Sequence, residues 1–180
     1  FKYLRHHSVL KVIIFLDVVI NFLLSAFNIG LPYVIIKQLH AGSKLVGFLE
    51  AGISLGILIG SFLMSFSKDN HHFLSRLLLN LNVVGLSTIL FGFLLNETST
   101  SKFQLPYWGF FLIIILGISI SWINIATNIY FQTTVPAEIL GKLFSLLQTA
   151  ATASLPFGTI TYTFLFQMLS NGAIIFIISA

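Results

Sequence analysis

Long apolar stretches separated by short polar breaks run the whole length of the chain. Five runs, 9–36, 45–66, 73–95, 106–131 and 139–166, reach the length a spanning helix needs, about 20 mostly apolar residues. A sixth opens at 172 and runs to 180, too short to cross. The connections 37–44, 67–72, 96–105, 132–138 and 167–171 are short and polar. Strict alternation over segments of about ten residues, the mark of a membrane β-barrel strand, is absent. The pattern therefore predicts an all-α, polytopic membrane protein. It forms one transmembrane domain over residues 1–180, a six-helix transmembrane bundle whose last helix is incomplete.

Composition names the solvent. Of the 180 residues, 57% are hydrophobic and 8% charged, whereas a soluble domain carries roughly 25% charged residues. Nineteen Phe point the same way, since lipid tolerates exposed aromatics that water does not. The expected solvent is a lipid bilayer. The net charge of +4 does not indicate nucleic acid, because the basic residues sit between apolar runs rather than in one stripe. With no Cys, disulfides and thiolate chemistry are excluded. The chain opens on Phe1 rather than Met, with no cleavable signal before the first run. It reads as a fragment of a longer protein.

Basic residues of the short loops set the expected orientation. With the N-terminus in the cytoplasm, Lys2, Arg5, Lys11, Lys68, Arg76 and Lys142 fall inside. Lys37, Lys44 and Lys102 fall outside, as does the Asn96-Glu97-Thr98 sequon. His6, His7, His71 and His72 share the inner side.

Polar positions inside the runs then mark candidate sites. Asp17, Asn21, Ser25 and Asn28 recur at steps of four, four and three, on one helix face. A carboxylate in hydrocarbon costs about 2.5 kcal/mol or more, so Asp17 should face protein or water. It serves either a substrate or proton pathway or a structural pairing with Lys11 or a neighbouring helix. Gly52, Gly56 and Gly60 step by four along the second helix, with Gly47 before them. That spacing lets two helix backbones approach closely in lipid. Glu50 stands near the outer end of the same helix, at the interface or as a buried proton site. The fourth helix repeats Gly117, Ser121, Asn124, Asn128 and Gln132, and the fifth repeats Ser145, Gln148, Thr149, Thr152, Pro156, Thr159 and Thr163. These stripes line a cavity or hydrogen-bond between helices. Pro156, with Gly158 beside it, removes a backbone hydrogen bond and should bend the fifth helix. The pathway candidates are thus Asp17, Asn21, Asn28, Asn124, Asn128, Gln148 and Thr152.

Enzyme signatures are missing. No His lies within an apolar run, no His-Glu-x-x-His or phosphate-loop motif occurs, and Asp17 and Glu50 stand toward opposite membrane faces. The expectation is a protein that is not an enzyme and holds no metal or cofactor.

Two stretches carry a resemblance. One is Asn21-Phe22 through Leu31-Pro32 with the glycine-stepped helix after it. The other is Gln132-Thr133-Thr134-Val135-Pro136-Ala137-Glu138-Ile139-Leu140-Gly141-Lys142-Leu143-Phe144-Ser145, followed by Pro156-Phe157-Gly158. Together they resemble the C-terminal six-helix half of the major facilitator superfamily, and within it the bacterial macrolide-efflux and siderophore-export branch, the transmembrane secretion effectors. The superfamily's Gly-rich cytoplasmic loop appears only as Gly60 through Arg76, with Ser67-Lys68-Asp69 in place of a clean match. The resemblance implies half of a twelve-helix secondary transporter in a bacterial plasma membrane. Such a protein exports small amphipathic compounds in exchange for protons by alternating access, and its partners are a missing N-terminal six-helix half and a small-molecule substrate. A self-contained substrate-binding subunit of a vitamin importer is the alternative at this length. An intramembrane hydrolase and an inactive remnant are weaker readings.

Overall fold

A computed structural model describes residues 8–66, 73–96, 104–169 and 172–179, and each described element is helical. Helix α1 is Ser8–Tyr33, continued by a π-helical turn Val34–Gln38. Then come α2 (Ser43–Ser65), α3 (Phe73–Asn96), α4 (Gln104–Thr134), α5 (Ala137–Met168) and α6 (Gly172–Ile178). The apolar runs read from the sequence coincide with these helices to within a turn. Residues 67–72 and 97–103, which carry Ser67-Lys68-Asp69, His71, His72, Lys102 and most of the sequon, lie outside the described residues, as do Lys2, Arg5, His6 and His7.

Local chemistry sets several boundaries. Gly42 has φ 80, a left-handed conformation that a side chain would strain, and it leads directly into α2. Pro106 lies in the first turn of α4, where its missing N–H has no helical acceptor to lose. Pro136 precedes α5 in an extended conformation, so only Val135 and Pro136 separate α4 from α5.

The chain is a membrane protein. Among the described residues, four helical stretches are long and apolar enough to cross a bilayer: Val9–Gln38, Ser43–Ser65, Ser75–Leu95 and Leu105–Thr134. The fifth run does not join them. Helix α5 has the length, at 32 residues, but its Ser, Thr and Gln positions dilute its apolarity.

Packing follows a definite order. The main pairs are α2 with α4, α1 with α5, α3 with α4 and α3 with α6, with α1 touching α6 more lightly. The strongest pair, α2 with α4, lies two apart in the chain, and α1 with α5 and α3 with α6 lie four and three apart; of the successive helices only α3 and α4 pack extensively. Exchange the first three helices with the last three and this pattern maps onto itself. Pair α2–α4 becomes α5–α1, pair α3–α4 becomes α6–α1, and α3–α6 is unchanged.

Two apolar clusters sit at the two ends of the bundle. The larger joins Phe27, Leu31, Val34 and Ile35 of α1 to Leu49, Phe91, Ile113, Phe166 and Phe176. The smaller joins Leu10 and Ile13 of α1 to Phe131, Val135 and Leu143, at the α4–α5 end. Several buried polar residues, among them Ser25, Ser121 and Ser154, fall between the clusters along their helices.

Candidate functional site

Two close helix crossings frame the site. At the first, Gly52, Gly56 and Gly60 of α2 are buried against α4. A Cβ added at Gly56 would strike the Ile114 carbonyl oxygen and come within 2.9 Å of the Gly117 Cα. One at Gly60 would lie 2.8 Å from the Ile118 oxygen and 2.9 Å from the Ser121 Cβ, and one at Gly52 would lie 2.9 Å from Phe110. Backbone meets backbone here, so the four-residue glycine step has its packing reason. Gly47 has open space around it and takes no part. The contacts rise together along both chains, so α2 and α4 run in the same direction.

At the second crossing, Gly158 of α5 meets α1. A Cβ there would collide with Ser25 Oγ and lie 2.9 Å from the Phe22 oxygen. Phe22 and Tyr162 rings pack beside it at 5.6 Å, and Tyr33 packs on Phe166 at 5.5 Å. With Leu10 and Leu143 in one cluster at the other end, α1 and α5 also run in the same direction, in steady register. Pro156 lies inside a helix that continues through it, on the exposed side of α5, while Gly158 is buried at the crossing.

This seam separates two different surfaces. At about 100° per residue, Asp17, Asn21 and Asn28 lie within about 40° of one another on α1, and Ser25 stands at the edge nearest α5. On α5, Gln148 and Thr152 lie about 80° and 120° round from Gly158, on the side that matches this stripe. Asn28, Gln148 and Thr152 are exposed, and Asp17 and Asn21 are half-buried. Along the register set by Ser25 and Gly158, Asp17 stands at a depth between Gln148 and Thr152. The structure therefore gathers these five expected residues onto one wall. Across the seam, Val18, Val19 and Phe22 of α1 face Ala150, Ala153, Ser154 and Phe157 of α5 around an apolar groove of about 420 Å³. No signal in the sequence announces that groove; its residues read as ordinary apolar filling.

Helix α4 adds a second wall. Phe131 shares its α4 face with Asn128 and Asn124, just as Leu10 and Ile13 share theirs with Asp17 and Asn21. Where these faces meet, Leu10, Ile13, Phe131, Val135 and Leu143 close an apolar floor. At roughly 1.5 Å per residue, Asn128 and Asn124 stand one to two turns above it, at the depths of Asp17 and Asn21. Both Asn are exposed. Ser121 and Gly117, which the sequence groups with them, are instead buried at the α2 crossing. That one stripe divides between packing and cleft.

Hydrogen bonding within the site is local. Asn21 Nδ2 donates to the Asp17 carbonyl at 2.9 Å and reaches the Asp17 carboxylate at 3.4 Å. Thr152 Oγ1 donates to the Gln148 carbonyl at 2.7 Å. The buried hydroxyls of Ser25 and Ser154 likewise return to their own helices, on Phe22 and Ala151, each at 2.6 Å. At these positions the hydroxyls bond back to the preceding turn of their own helix. Such bonds satisfy the hydroxyl and leave close packing to hold the helices. Glu50 is exposed, on α2 and remote from this wall. Among the described residues, no three His, Cys, Asp or Glu come together.

The chain matches no family model, no curated protein and no solved structure.

Proposed function

We propose that this chain is one six-helix half of a secondary active transporter, and that the cleft walled by α1, α4 and α5 is its share of the substrate path. The observation that carries the reading is the polar wall itself. Asp17, Asn21, Asn28, Gln148 and Thr152 occupy one side of a helix pair in a membrane protein, and polar groups facing hydrocarbon are costly, so water or a second protein body must cover them. The self-mapping helix pairing supports the same reading. Helices alternate in direction through a membrane, so a repeat of three helices is inverted, and inverted repeats with a site near the bilayer midplane are a recurrent transporter plan. The resemblance to the major facilitator superfamily adds proton-coupled export of amphipathic compounds in a bacterial plasma membrane, with a second six-helix body completing the cleft. Asp17 is then the carboxylate that exchanges a proton as access alternates, and the chain carries its substrate without converting it.

The test uses the full-length protein reconstituted in liposomes with an imposed proton gradient. A fluorescent amphipathic substrate should move against its concentration gradient and stop moving when the gradient is dissipated. Asp17→Asn, which keeps the shape and removes the charge, should uncouple this movement and flatten its pH dependence. Transport with an unaltered pH profile in that variant would make Asp17 structural.

A further inference from the structure

Helix α3 carries an exposed stripe that neither the packing of the bundle nor the cleft uses. Ser75, Leu79, Asn82, Leu86, Leu90 and Phe93 recur at steps of four, three, four, four and three, and all are exposed. At about 100° per residue they fall within a sector of about 80°, the narrow seam by which two helices pack. On the other side of α3, Leu81, Val84 and Thr88 face Leu23, Leu24 and Phe27 of α1. The stripe therefore looks away from α1, and a body that covers the polar wall leaves it bare.

Asn82 is out of place on this face. Ser75 opens the apolar span Ser75–Leu95 and meets its edge, whereas Asn82 stands seven residues further in, about 10 Å along the helix. Its Nδ2 donates to the Leu78 carbonyl at 2.7 Å, its one hydrogen bond among the described residues. A side-chain amide has two N–H groups and a carbonyl oxygen, so one N–H and Oδ1 are left over. Lipid can satisfy neither. Their opposite partial charges are self-complementary, because the N–H of one such amide fits the oxygen of another, and the reverse.

Membrane insertion selects which amide that is. Two copies inserted in the same orientation are related by a two-fold axis along the membrane normal, and equivalent residues then meet at equal depth in an isologous contact. The shape of the stripe suits the same symmetry. At its Phe93 end it borders an apolar groove of about 430 Å³ between α3 and α4, lined by Leu90, Phe93, Leu94, Trp108, Phe111 and Leu112.

We propose that the α3 stripe joins two copies of this chain in the membrane. Reciprocal Asn82 amide bonds lie at its centre, and Phe93 of each copy seats in the groove of the other. Polar side chains bond across helices in lipid, and a single Asn in a helix seam fixes register and partner number. The contact goes beyond the transport reading and does not depend on it.

The experiment measures association of the purified full-length protein in liposomes, by energy transfer between donor- and acceptor-labelled copies as the protein-to-lipid ratio is lowered. The wild type should dimerise reversibly. Asn82→Leu should weaken the dimer about tenfold, and Asn82→Gln, which keeps the amide, should retain most of it. Leucine suits an exposed position in lipid, so Asn82→Leu should keep the folded yield of the wild type. Cross-linking tests the geometry separately. In a background without other Cys, Leu86→Cys should form an oxidised dimer, and Leu58→Cys should not, although Leu58 is 64% exposed on α2 and Leu86 59%. A monomer at every ratio, an Asn82→Leu dimer as tight as the wild type, or equal cross-linking at the two positions would overturn the assignment.

Discussion

The two flanks of the α1–α5 seam are made by the same two helices, at the same depths, from alternate positions of the same stretches of sequence. One flank carries Asp17, Asn21, Asn28, Gln148 and Thr152. The other carries Val18, Val19, Phe22, Ala150, Ala153 and Phe157, and Phe157 is 69% exposed. Asp17 and Val18 are neighbours in the chain and point to different solvents. Thr161, which falls on the apolar flank, donates its hydroxyl to the Phe157 carbonyl at 2.8 Å and shows lipid little free polarity. Thr152 makes the corresponding bond to Gln148, but it sits beside amides and a carboxylate. The difference teaches that exposure alone identifies nothing in a membrane protein. What sets the two flanks apart is the kind of group exposed, amides and a carboxylate on one and apolar side chains on the other.

The seam itself offers the strongest way to break this contrast. Gly158→Leu would drive a side chain into Ser25 and the Phe22 carbonyl, and Gly56→Leu would do the same to the Ile114 carbonyl. Overpacking typically costs about 1–3 kcal/mol, and more is expected where the obstacle is backbone that cannot rotate aside. Both variants should lose most of their folded, monodisperse yield on size-exclusion chromatography. Leu55→Ile, at an exposed position of α2, should leave it intact. Equal yields from Gly56→Leu and Leu55→Ile would mean that the glycine stripe faces lipid.

A charge placed on either flank sharpens the comparison. Phe157→Asp puts a carboxylate on the lipid flank, at a cost of about 2.5–3.5 kcal/mol near the helix centre. Thr152→Asp puts it on the polar wall, beside groups that already tolerate Asp17. Thermal unfolding in detergent should separate the two variants clearly, with Phe157→Asp the less stable. If they unfold together, the two flanks share one environment.

The gentlest probe is chemical access. The sequence contains no Cys, so any introduced thiol is unique, and maleimides react with thiolate, which forms where water reaches. Asn28→Cys and Thr152→Cys should label readily with a water-soluble maleimide in membranes, and Phe157→Cys and Ile160→Cys should not. The same chemistry fixes direction. Ser43→Cys, exposed where α2 begins, should react from outside intact cells. Ala137→Cys, exposed where α5 begins, should react only after permeabilisation. The reverse pattern would invert the orientation expected from the loop charges.

Much of the architecture was legible in the chain because it depends on quantities that are local. Run length and apolarity report the cost of backbone and side chains in hydrocarbon, so six helices could be drawn from their limits alone. The 3.6-residue period places Asp17, Asn21 and Asn28 on one face whatever that face meets. The four-residue glycine step implies a close neighbour. None of these says which neighbour. That Gly56 lies against Gly117, that Gly158 lies against Ser25, and that Ser121 turns into a crossing while Asn124 beside it stays exposed, follow from contacts between residues far apart in the chain. The floor of Leu10, Ile13, Phe131, Val135 and Leu143 was invisible for the same reason, since its members are ordinary apolar residues until the start of α1 meets the distant α4–α5 junction. A sequence pattern determines the face a side chain occupies. Only the packed bundle decides whether that face looks into lipid, into another helix or into a cleft, because that choice depends on the fit of backbones that the local period does not encode.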